Sequence, residues 1–167
     1  MNNYKAMDIA NYIVDYVNEN NLGVLTPLKL QKILYYVSAT YLKRTSDLLF
    51  SESFEKWQYG PVATSVYHNF KSFGINHIES TVPIIEIDTT SILGFKKVEF
   101  SKENFQGNDR FQDVAKDVIK KLIGVSAFDL VELTHQEEAW SKFEPLIAKG
   151  VKDLKYSKDE LLNAKEF

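Results

Sequence analysis

Residues 26–44, TPLKLQKILYYVSATYLKR, constrain the fold more than any other stretch of the chain. Thr26 suits a helix N-cap and Pro27 the first helical turn. Projected at the helical period, Leu30, Ile33, Leu34, Val37 and Tyr41 form one broad apolar face, and Leu28, Tyr35 and Leu42 form another. A helix apolar on two sides is buried between other elements. What remains is a strip of Lys29, Lys32, Tyr36, Thr40 and Lys43, expected to be the seam that reaches water. This stretch is read as the central helix, and its basic, tyrosine-bearing seam as one candidate docking ledge.

The rest of the chain supplies elements to surround it. Residues 5–19 read as a first helix, with Ala6, Ile9, Ile13, Tyr16 and Val17 on one face. Residues 54–59, FEKWQY, read as an extended segment. Gly60-Pro61 then resets the backbone, and Pro61 is placed at the start of a third helix running to Phe73. Residues 82–100 are rich in β-branched and aromatic residues and read as a small β-hairpin, with Pro83 marking an edge strand. A fourth helix is predicted over residues 109–123. A fifth is predicted over 127–135, capped by Ser126, followed by helical turns over 140–149 limited by Pro145. Ser157 with Glu160 forms a capping box before a last short helix. The expected class is mainly α (α+β): a single compact helical domain with a central buried helix and one small hairpin.

Composition narrows the function classes. The 167 residues carry a formal net charge of -3, which argues against a nucleic-acid binder. No cysteine is present, so disulfides and thiolate chemistry are excluded. The N-terminal residues lack a charged lead followed by an apolar run, and no apolar run approaches a membrane span, so the cytoplasm is the default. No phosphate-binding glycine loop, nucleophile elbow or zinc-protease string occurs. His135 and Glu138 are spaced i, i+3, but no third metal ligand lies nearby, and His68 and His77 have no motif spacing. Neither a metal nor a cofactor is expected. Glu137-Glu138 read as carboxylates on a solvated helix surface.

Three strings stand out: LKLQKILYY from Leu28, EKWQYGPVATSVYHNF from Glu55, and DLVELTHQEEAW from Asp129. In the second, Trp57, Tyr59 and Tyr67 flank the rigid Gly60-Pro61 turn. Such aromatics pin a helix to the core, present an edge to a partner, or do both. In the third, Thr134 and His135 lie at a helix end, where a histidine satisfies open carbonyls.

Together the strings resemble the Panacea domain of SocA-like antitoxins, also described as a phage-associated family. The carriers are Leu28, Leu30, Gln31, Lys32, Leu34, Tyr35 and Tyr36. They continue with Glu55, Trp57, Tyr59, Gly60, Pro61, Val62, Val66 and Tyr67, then Leu130, Leu133, Thr134, His135 and Trp140. The likeness runs from about Ala6 to the last helix. Ala139 departs from it, because a proline often precedes the tryptophan in that family. The resemblance implies an antitoxin that binds and silences a co-encoded protein toxin. In SocA-like members it also implies handover of the toxin to an ATP-dependent protease. Operator binding through an added DNA-binding module is not expected of a chain this length. The partner-binding candidates are Lys29, Lys32, Tyr36 and Lys43 on the seam, with Trp57, Tyr59 and Tyr67 at the turn. Besides a nucleic-acid binder, two rivals are weighed beside the antitoxin reading. One is an adaptor for a protease or chaperone that uses the C-terminal residues Leu161, Leu162 and Phe167. The other is an enzyme built around His135, Glu138 and Tyr59.

Overall fold

The structure is a computed structural model that describes residues 3–167. Helix α1 (Ala6–Glu19) and helix α2 (Pro27–Thr45) form a hairpin. A two-stranded antiparallel ribbon follows, β1 (Glu55–Trp57) with β2 (Gly60–Val62), and leads into α3 (Thr64–Phe70). A second antiparallel hairpin pairs β3 (Ile84–Ile87) with β4 (Phe95–Val98). Then come α4 (Asp109–Leu122), α5 (Ala127–His135), α6 (Glu138–Ser141), α7 (Glu144–Ala148) and α8 (Lys158–Leu162). The architecture is mainly helical with two small ribbons.

Helix α2 is the axis of the fold. It packs against α1, α3, α4, α5, α8 and β2. Every residue from Lys29 to Leu42 is buried. Thr26 Oγ1 caps its N-terminus by accepting from the Lys29 amide at 3.3 Å, and Ser46 ends it in the left-handed conformation. Asn108, Ser126 and Ser157 cap α4, α5 and α8 in the same way. Among the described residues no helix is long and apolar enough to cross a membrane.

Three expectations are corrected. Pro61 does not open a helix: Gly60, Pro61 and Val62 pair with β1, and α3 begins at Thr64. The cause is long-range. Glu52 reaches over from the preceding loop, accepting from the Ser65 amide at 3.2 Å and from Ser65 Oγ at 2.6 Å, and so fixes the N-terminus of α3. The lysine seam does not reach water: Lys32, Tyr36 and Thr40 are fully buried, Lys29 is buried and Lys43 is half-buried. The C-terminal segment is no free surface either. Leu161 and Ala164 join the core, and the Tyr36 and Phe167 rings lie 4.8 Å apart.

Candidate functional site

The three strings converge on the turn between β1 and β2. Gln31 of α2 acts as a substitute strand: its Nε2 donates to the Ala63 carbonyl at 3.1 Å, and its Oε1 accepts from the Ala63 amide at 2.8 Å. Two residues earlier, Lys32 Nζ donates to the Pro61 carbonyl at 3.0 Å. From the other side, His135 Nε2 donates to the Gln58 carbonyl at 3.0 Å, and Trp140 Nε1 to the Trp57 carbonyl at 2.8 Å. The His135 and Trp140 rings stack 3.6 Å apart at 13°. Burial lowers the His135 pKa, favouring the neutral imidazole in this packed position. His135 therefore serves the neighbouring turn and not the end of its own helix.

Gly60 is required by this convergence. Its φ is +92°, and a Cβ there would overlap Thr134 Oγ1 and crowd Lys32 Cε at 3.2 Å. Thr134 cannot yield easily, because it is fully buried and its hydroxyl donates to the Val131 carbonyl at 2.7 Å. Gly60→Ala is expected to cost about 2 kcal/mol of stability from backbone strain and this overlap. An unchanged denaturation midpoint would show that the turn adapts.

The remaining seam residues are also structural. Lys29 Nζ donates to the Ile123 carbonyl at the C-terminus of α4 at 2.9 Å, which also favours the dipole of that helix. Lys43 Nζ donates to the Ala164 carbonyl. Tyr35 and Tyr36 hydroxyls donate to the two oxygens of Glu137 at 2.9 and 3.4 Å, and the Lys165 amide donates to it at 2.8 Å. Burial raises the Glu137 pKa. Its reading as a solvated carboxylate is thus corrected. It ties the paired tyrosines to the C-terminal segment, and a lone Glu-Glu pair carried no signal of that. A lysine stem is long enough to cap a carbonyl on a neighbouring element, so a polar strip on a helix need not be its wet side.

What the braced turn offers to solvent is aromatic. Tyr59 and Tyr67 are exposed and Trp57 is half-buried. The Trp57 and Tyr67 rings meet edge-on at 4.9 Å, and Tyr59 lies 6.1 Å from the exposed ring of Phe128. Phe128 was not singled out from sequence, because one aromatic on a short helix is unremarkable until its neighbour is known. Beside the turn lies a groove of about 450 Å³ lined by Leu28, Trp57, Tyr59, Val62, Val66 and Tyr67, among others. Of the seven candidates read from sequence, the structure brings the three turn aromatics to one exposed face. It buries or half-buries the four seam residues behind that face and beside it. Among the described residues no group of three histidine, aspartate or glutamate side chains is placed to hold a metal.

The helical frame thus holds an aromatic face on a braced turn. The chain belongs to the SocA-like antitoxin family: residues 30–141, two thirds of its length, match the model described as "Antitoxin SocA-like, Panacea domain". No curated protein and no solved structure matches it. The matched span contains Gln31, Lys32, the braced turn and Trp140, so the family region coincides with the convergence described above.

Proposed function

We propose that this protein is the antitoxin of a toxin–antitoxin pair and neutralises a co-encoded cytoplasmic toxin by direct binding through the aromatic face at the β1–β2 turn. The observation that carries the reading is the bracing. Four side chains from α2, α5 and α6 hold the turn's carbonyls, so Trp57 and Tyr59 are presented with little freedom left to lose on binding. Tyrosine and tryptophan are the residue types that dominate binding energy at such faces.

Co-expression with the neighbouring reading frame tests it. Growth should be restored by the native chain. Tyr59→Ala and Tyr67→Ala should each weaken toxin binding by about 2 kcal/mol, roughly thirtyfold, while the chain stays folded in a thermal melt because neither side chain belongs to the core. Full neutralisation by the double variant would move the docking surface elsewhere. Toxin half-life, followed in the same cells, separates simple sequestration from handover to an ATP-dependent protease.

A further inference from the structure

The β3–β4 hairpin carries five of the twelve large hydrophobic side chains that are exposed among the described residues. Ile85, Ile87, Ile92, Leu93 and Phe95 lie within eleven positions, and their exposure runs from 47% at Phe95 to complete at Ile92. At about 150 Å² per side chain, the low end for a large apolar residue, these exposures leave on the order of 550 Å² of apolar surface on one ribbon. That is at the upper end of the largest patch of a typical monomer. Two copies facing each other would bury about 1,100 Å², above the ~1,000 Å² that a biological interface should clear.

The patch is held in place from behind. Residues opposite one another in an antiparallel pair share a face, and the register sets Ile85 against Lys97 and Ile87 against Phe95. These four form the outer face, and Ile92 and Leu93 stand exposed in the loop that joins the two strands. The inner face is anchored. Ile84 packs on the core, and Glu86 pairs with Lys5 at 2.7 Å. Asn11 of α1 clamps the Val82 backbone, donating to its carbonyl at 2.7 Å and accepting from its amide at 2.9 Å. The outer face is therefore presented by a fixed support, and two bare strands alone would be marginal in water.

We infer that this outer face is a homodimer interface, covered by the same face of a second copy of the chain. A two-fold interface must be complementary to itself, and an apolar stripe meets that condition. Charge does not oppose it: Lys97 is accompanied on the same strand face by Glu99 at 3.9 Å, so the outer face carries no net charge from this pair. Edge-to-edge pairing through β4 is disfavoured. A symmetric antiparallel pairing centred on either lysine of β4 would set Lys96 or Lys97 opposite its own copy, a like-charge pair that blocks edge association. The dimer face is separate from the aromatic groove. Helix α3 lies between them, with Ser65 and Asn69 toward the hairpin side and Val66 and Tyr67 toward the groove. Self-association therefore does not depend on the antitoxin reading.

Sedimentation velocity over a concentration series of the full chain decides the matter. The native protein should form a dimer with Kd on the order of 10 µM or tighter. Ile87→Lys should weaken the dimer at least about tenfold. Because Ile87 is almost wholly exposed, thermal unfolding should confirm an intact monomer. Tyr59→Ala should leave the dimer unchanged. A native chain that stays monomeric overturns the inference, as does a dimer indifferent to Ile87→Lys. A monomeric native chain whose Ile87→Lys variant loses toxin binding would show that the toxin covers this face instead.

Discussion

Deletion of residues 157–167 should destabilise the protein by about 5 kcal/mol, although these residues lie outside the span shared with the family. Two separate losses contribute. The first is apolar: Leu161 and Ala164 leave the core, and Phe167 leaves the Tyr36 ring. The second is electrostatic. Lys56 has a side chain only 1% exposed, and its ammonium is paired with Glu160 at 2.8 Å and sits 3.3 Å from the centre of the Phe143 ring. Removing one partner of a fully buried ion pair typically costs ~3–5 kcal/mol, and with the Glu160 side chain 27% exposed this pair lies at the low end. In a chain of this length the melting temperature should fall by roughly 15 °C. A truncated protein melting within a few degrees of the native one would show that α8 is an appendage. The result matters for function as well. Truncation cannot separate toxin binding from protease handover, because it removes part of the support of α2. Substitutions at the exposed Lys165 or Lys158 are the appropriate probes of a C-terminal partner surface.

How much of this was readable beforehand follows from the range of the forces involved. Helix caps are local, so Thr26, Ser126 and Ser157 with Glu160 could be placed from a few neighbouring residues, and the structure has each of them capping. The two apolar faces of α2 announced a buried helix, and the structure surrounds it. The strip between those faces was misjudged. Its covers come from residues about thirty to a hundred and twenty positions away: Pro61, Ile123, Glu137 and Ala164. No pattern within the helix encodes that distance. Pro61 failed as a helix start for a similar reason, since β1 and Glu52 decide its neighbourhood from outside the proline's own turn. At the turn, Trp57, Tyr59 and Tyr67 were legible because large aromatics beside Gly-Pro are conspicuous in sequence. Gln31, which makes two of the bracing bonds, is chemically ordinary and stood out only within the family pattern. The hairpin at 82–100 was legible from β-branched content, but its bare outer face was not. IIEI does not show which isoleucines the body will cover.

Lys32→Met should make the protein more stable, and by an amount that depends on pH. Lys32 is fully buried, and desolvation lowers its pKa from 10.5 to about 7. Below about pH 7 the amine is charged in both folded and unfolded chains, so the folded state bears the full cost of enclosing an ammonium. Between about 7 and 10.5 the unfolded chain holds a proton that the folded chain has released, so stability climbs as pH rises through that window. Above it the cost is gone. Methionine has similar length and no charge, so the variant should exceed the native protein by about 3 kcal/mol at pH 6. The gap should narrow toward pH 10. His135 feels the same ammonium, which helps to lower its pKa, so its imidazole should titrate at higher pH in the variant. Urea titrations at several pH values, with NMR of the His135 ring, measure both effects. A gap that does not change with pH would mean that Lys32 keeps one protonation state throughout. A variant less stable at pH 6 would mean that the bond to the Pro61 carbonyl outweighs burial. With the expected outcome, the lysine costs stability and holds the turn. The variant should then neutralise toxin less well despite being the more stable protein, because Pro61 loses the donor that fixes the Gly60-Pro61 backbone and with it the aim of Tyr59.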